Sequence, residues 1–360
     1  MRQSLFLSCV LLSQLLTDWR PAHADNSAVG IGGDIIFRLG YNGVYDTEDT
    51  VVESNDFLAL MIASPEFYFG NALSVISEVR LEDVRPPLGD RAFEDEGLFV
   101  RKLFLDDDVN NNLSLQFGKF TPSFSFASLV TPGMYGNNYN KEIELIERVG
   151  LGVEYTIDTG SAGEHKISAS TFYDDTSVLS DSWGSRRGPK ERSDGGASNT
   201  GTLESFALSL EGSNLSQLPG FTYKLGLLHQ ARGEDGVADE NGVLVAAMRS
   251  HSLSRDRSLT WIAEVAPIWN FEGTDDDIVY SSAGLVYQDG PWTSVLSGTY
   301  RRRDLASGGT FDDYSVQTSL DYQFGNGLSL AFAHEFLRAQ NVRSRRIGVR
   351  LSKVIDLGVK

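Results

Sequence analysis

The sequence predicts an all-β chain, a transmembrane antiparallel β-barrel of about sixteen strands. Three observations predict it. Apolar and polar residues alternate with a period of two over many segments of roughly ten residues. Short connections rich in Gly, Asn and Asp alternate with longer ones. No stretch sustains helical periodicity, so the chain offers no second layer to cover its apolar faces.

The elements follow in order. Arg2, the apolar run Leu5–Leu16 and the small-x-small site Ala22-His23-Ala24 mark residues 1–24 as a cleaved secretory signal; the run is too short to span a bilayer. Cys9, the only cysteine, lies inside that segment, which excludes disulfides and cysteine metal sites from residues 25–360, read as a single domain. Strands are expected near 29–43, 55–69, 73–84, 96–105, 112–121, 147–158, 164–174 and 202–211. The rest are expected near 220–231, 242–252, 258–270, 278–288, 291–302, 311–324, 327–338 and 345–357. In the first, Ile35, Phe37, Leu39 and Tyr41 alternate with Asp34, Arg38 and Gly40. In the third, Leu73, Val75, Val79 and Leu81 alternate with Ser74, Glu78, Arg80 and Glu82. In the sixth, Val149, Leu151, Val153 and Tyr155 alternate with Arg148, Gly150, Gly152 and Glu154. The segment Tyr314–Phe336 reads as a hairpin about Gly325-Asn326-Gly327, and Ile347, Val349 and Leu351 alternate with Arg346, Arg350 and Ser352 in the last strand.

Short turns are expected at Gly70–Ala72, Asp106–Asn111, Thr159–Gly163, Gly212–Gly220, around Arg255, at Asp289-Gly290 and at Gly325–Gly327. Longer loops are expected to centre near Asp46, Gly89, Met134, Gly188, Gly236, Asp275, Gly308 and Asn341. An even strand count with short turns at one end and long loops at the other is how barrels sit in an outer membrane. Every backbone group in lipid must be paired, and a closed barrel does this without an edge. The apolar faces then meet lipid and the polar faces line a lumen, which sixteen strands make wide enough for water. Lumen candidates for pore lining and selectivity are Asp34, Arg38, Glu78, Arg80, Glu82, Arg101, Arg148, Glu154, Arg346 and Arg350. Closing the barrel brings Arg38 towards Arg346 and Arg350 as a basic wall.

The stretches Gly118-Lys119-Phe120-Thr121-Pro122-Ser123-Phe124, Thr131–Gly136 and Glu147-Arg148-Val149-Gly150 carry a resemblance to the Gram-negative outer-membrane porin superfamily. The enteric loop signature Pro-Glu-Phe-Gly-Gly is missing. The resemblance implies that the third long loop, about 121–147, folds inward and narrows the pore, with acidic groups facing basic groups on the wall. The corresponding residues here are Asn137, Asn138, Asn140, Lys141, Glu142 and Glu144. The resemblance also implies a homotrimer.

The expected function is passive diffusion of small hydrophilic solutes and ions through the outer membrane of a Gram-negative bacterium. The formal charge of −18 argues against a nucleic-acid partner and suggests a mild cation preference. A substrate-specific channel for phosphate, another anion or sugar is the second expectation, and a plugged structural or adhesive barrel the third. No metal or cofactor is expected: Asp106–Asp108 and Asp275–Asp277 do not follow a calcium-loop spacing. No catalytic motif is present, although His229 and His334 fall on the apolar face, where an outer-membrane phospholipase would place its catalytic groups. Arg301-Arg302-Arg303, Arg343, Arg345 and Arg346 fall at outer strand ends, beside membrane lipid and lipopolysaccharide phosphates.

Overall fold

The structure, a computed structural model, describes residues 29–48, 53–126, 129, 131–136 and 139–358. The expected signal segment 1–24, Asn137 and Asn138 lie outside the described residues. Eighteen strands form one sheet. They are β1 (Val29–Tyr45), β2 (Ser54–Phe69), β3 (Leu73–Asp83), β4 (Arg91–Ala92), β5 (Glu96–Asn110), β6 (Leu113–Phe120), β7 (Arg148–Asp158), β8 (Glu164–Asp174) and β9 (Trp183–Gly184), followed by β10 (Ser205–Ser213), β11 (Phe221–Gln230), β12 (Glu240–Ser254), β13 (Arg257–Trp269), β14 (Asp277–Asp289), β15 (Trp292–Asp304), β16 (Thr310–Gln323), β17 (Leu328–Ala339) and β18 (Val342–Asp356). β4 and β9 are two-residue pieces within loops. The other sixteen form an antiparallel barrel, which closes because β1 pairs with both β2 and β18. Among the described residues no helix is long and apolar enough to cross a membrane.

The alternation sets the two faces. Val245, Leu296 and Phe332 point outward and are at least half exposed, whereas Gln317 and Glu335 are buried inside. This inversion of a soluble protein's pattern is what a lipid-facing belt requires. His334 and His229 are on the outer face as expected; His334 Nε2 shares a 2.9 Å hydrogen bond with the Tyr45 hydroxyl, and His229 stacks on Phe206 and bonds Asn241.

All sixteen expected barrel strands are present, with three local differences. Asp106–Asp108 do not form a turn: β5 runs on to Asn110, with Asp106 paired to Ser74 and Gln116, and the turn is Asn111-Asn112. The last expected long loop is a two-residue turn, Gln340-Asn341, with both residues at positive φ (49° and 70°), the conformation of a tight hairpin whose twist matches its strands. The arginine clusters at the outer strand ends split between faces. Arg301 and Arg303 turn inward to Asp313 and Asp276, while Arg302 and Arg345 are matched by Asp304 and Asp46.

Candidate functional site

The inside of the barrel is divided in two. The inner wall of β10–β14 is apolar at one level, with Ala207, Leu228, Leu244, Ala246, Ile262, Ala266, Ile268 and Ile278 all buried. The 121–147 loop lies on it and packs Phe124, Phe126, Tyr139, Ile143 and Leu145 into the same cluster. Glycine makes the seat possible: a Cβ at Gly226 would come within 2.7 Å of the Phe124 carbonyl oxygen and 2.9 Å of its ring.

Polar contacts tie the loop along its length. The Phe126 N–H donates to Glu264 at 2.8 Å, and the Tyr135 N–H donates to Gln317 Oε1 at 2.8 Å. Asn140, wholly buried, accepts from the Ser282 and Thr299 hydroxyls at 2.8 and 3.2 Å and donates to Thr131. Glu142 accepts from Arg301 at 2.7 Å and from the Tyr280 hydroxyl at 2.6 Å, and the Arg301 guanidinium lies 4.4 Å over the Tyr139 ring. Glu144 reaches across to Arg101 on β5 at 2.8 Å.

The wall of β18, β1, β2 and β3 is not covered in this way and carries a row of charge. Arg38 lies diagonally across from Arg350 in the β1–β18 ladder, and Arg80 stands beyond β2. Arg80 pairs with Glu78 at 2.6 Å and Glu82 at 3.5 Å, and Arg350 faces Asp321 at 4.0 Å. Arg38 forms no ion pair among the described residues, and its buried Nε has no hydrogen-bond partner. The cations Arg80 and Arg350 and the carboxylates of Glu82 and Asp321 are all within electrostatic reach of it.

At the long-loop end the wall has a notch. β6 pairs with β5 only as far as Leu103–Lys119, because the chain then dips inward. The 175–204 loop returns to fill the gap: β9 pairs with β5 at Gly97 and Leu98. Lys119 seals the joint from 2.7 Å to Asp175, 2.8 Å to Glu147 and 2.8 Å to the Leu179 carbonyl, and Arg187 spans Glu147 and the face of Phe99. Burial pushes the Asp175 carboxyl up, but hydrogen bonds from Lys119 and Ser177 outweigh it and hold the group below its ordinary 3.8.

No family model matches the sequence, and no curated protein matches it. Solved structures do. The outer membrane channel DcaP of Acinetobacter baumannii superposes with a TM-score of 0.58 at 14% identity, covering 92% of this chain and 99% of that one. A loop L8 deletion mutant of OmpT, an outer membrane protein of Vibrio cholerae, gives 0.54 at 11% identity over 92% of this chain and 100% of that one. OpdK of Pseudomonas aeruginosa, solved with vanillate, gives 0.51 at 12% identity over 91% and 98%. The chain has the porin fold.

Within this barrel the site residues expected from the sequence separate into groups. Asp34, Arg38, Glu78, Arg80, Glu82 and Arg350 share the uncovered wall, with Arg101 joined to it through Glu78 at 3.7 Å. Arg346 is further along β18, bound to Glu335 and stacked 4.8 Å from the Tyr135 ring, so it braces the loop rather than extending the row. Arg148 sits at the long-loop end and pairs with Asp174. Glu154 stands apart near Lys166 and Ser168. Asn140 and Glu142 anchor the loop, Glu144 bridges to the wall, and Lys141 is exposed.

Simple alternation misses Lys102. A register shift at Glu78/Val79 turns both Arg101 and Lys102 towards Glu78, with Lys102 at 3.4 Å. It also leaves out Asp321, which faces Arg350 across β17, and Glu264 and Arg301, whose partners Phe126 and Glu142 are set by loop contacts that carry no periodic signal.

Proposed function

We propose that this chain forms a water-filled channel in the outer membrane of a Gram-negative bacterium and passes small hydrophilic solutes and ions down their gradients. The supporting observation is the inverted barrel with a one-sided lining. The 121–147 loop occupies the β10–β14 side, which leaves the charged β18–β1–β2–β3 wall bordering the path. We assign pore lining to Asp34, Arg38, Glu78, Arg80, Glu82, Arg101 and Arg350, with Glu154, Arg148 and Arg346 towards the two ends. Similarity to DcaP, an outer membrane channel, supports the reading. His229 and His334 are held by structural partners, which favours a channel over a lipid-cleaving enzyme. A trimer, the form of one OmpT structure from Vibrio cholerae, is the proposed assembly. Lipid and lipopolysaccharide are the proposed surroundings.

The sign of the selectivity deserves revision. The net charge of −18 covers loops and turns as well as the lumen. Around Arg38 the carboxylates of Glu78, Glu82 and Asp321 are matched by cations and Arg38 is left over, while Asp34, without an ion pair among the described residues, stands nearer the start of β1, so we propose that the narrow part at Arg38 favours anions. The proposal is tested by swelling of liposomes containing refolded protein in sugars of increasing size and in salts. Entry rates that fall with solute size support a diffusion channel; no swelling by folded protein in any solute overturns it.

A further inference from the structure

One stretch of the uncovered wall breaks the rule that lumen faces are polar. β2 is apolar on both faces through Phe57–Ala63, where only one face meets lipid. Leu58, Leu60 and Ile62 stand opposite Gly40, Arg38 and Ile36 of β1 and so share the inward face with Arg38. Ile62 also stands opposite Arg80. None of the three belongs to the buried cluster beneath the 121–147 loop, and all three are partly exposed. The described loop residues that meet β18 and β1, Met134 and Tyr135, lie against Gly348 and Asn42, further along the barrel from Leu60 and Ile62, and Glu144 reaches Arg101 on β5 instead. An aliphatic strip left open to a watery lumen costs free energy in proportion to its area, unless a permeating solute covers it.

We propose that Leu58, Leu60 and Ile62, with Ile36, form an aliphatic lane beside Arg38 that selects small monoanions bearing an apolar body, such as branched-chain or aromatic carboxylates. The inference rests on the channel function above and adds the substrate class. Arg38 has a guanidinium with no carboxylate bound to it, so it offers a forked donor to an incoming carboxylate. Arg80 and Arg350, within electrostatic reach, keep the anion attracted on both sides of that point. The aliphatic strip meets the rest of the solute. A hydroxylated anion of the same size gains the charge contact and loses the apolar one. A neutral apolar solute gains only the second.

Isobutyrate and lactate test this, because they carry the same charge and the same number of heavy atoms and differ by a methyl against a hydroxyl. Their permeabilities relative to chloride are read from reversal potentials across planar bilayers containing the refolded full-length protein. The wild type passes isobutyrate better than lactate by a factor on the order of three, the value of one methyl group in contact with apolar surface. Leu60→Asn with Ile62→Asn abolishes that preference and leaves chloride conductance in place. Arg38→Gln lowers both carboxylates together and keeps their ratio. Equal permeabilities in a conducting wild type overturn the lane and leave the channel standing, as does a preference that survives the double substitution. Folded wild-type protein that conducts nothing overturns the channel function itself.

Discussion

Replacing Asn140 by Ala should release the 121–147 loop from its wall without opening the barrel. Asn140 is wholly buried and makes three side-chain hydrogen bonds, to Ser282, Thr299 and Thr131. The loss is partly cushioned. Ser282 and Thr299 still bond each other at 2.9 Å, and Thr131 still donates to the Gly136 carbonyl. Three bonds of about 1 kcal/mol each, less that compensation, leave about 2 kcal/mol, or roughly a thirtyfold rise in the population of loop detached at this point. Single-channel recording reads the change as added open-channel noise and sublevels, while heat-modifiable gel mobility reports an intact barrel. Asn140→Asp keeps the acceptor for both wall hydroxyls and should sit between wild type and Asn140→Ala. The reasoning fails if Asn140→Ala records like wild type, or if the aspartate variant is the noisier of the two.

Two further outcomes follow from buried charge. Glu335 is wholly buried and binds Arg346 and Ser315, so Glu335→Ala leaves a cation without its partner and should cost about 3–5 kcal/mol in urea unfolding from lipid vesicles, with Glu335→Gln costing less. The carboxyl of Asp175 is held below its ordinary 3.8, so its stabilisation of the 175–204 loop is complete above that value and lost as pH falls through the folded value. Cleavage of that loop by pepsin should therefore begin only below about pH 4, and Lys119→Met should move the onset to higher pH because only the Ser177 hydrogen bonds then oppose burial; an onset unmoved by Lys119→Met would refute the linkage.

The barrel was legible because the membrane enforces a period of two on the strands and selects apolar residues on the lipid face. Leu296, Phe332 and Val349 follow it, and all of them point outward. The lumen side obeys looser rules. β2 is apolar inward at Leu58 and Leu60, where no sequence pattern distinguishes a lipid face from a lumen face. The bulge at Glu78/Val79 brings in Lys102 against the alternation, since one extra residue is invisible to a periodic count. The loop anchors Asn140 and Glu142 carry no local signal, because their partners Ser282 and Arg301 are more than a hundred residues away. Glycine gave the one usable hint: Gly226, on the lumen face of β11, marks where another chain segment presses against the wall.

The most direct test is single-channel recording of the refolded protein in a salt gradient, with Arg38→Gln measured beside it. The account predicts stepwise, sustained conductance, an anion-side reversal potential, and a shift towards cations when Arg38 is neutralised. A folded protein that inserts and carries no current, or a cation-side potential indifferent to Arg38, would contradict it.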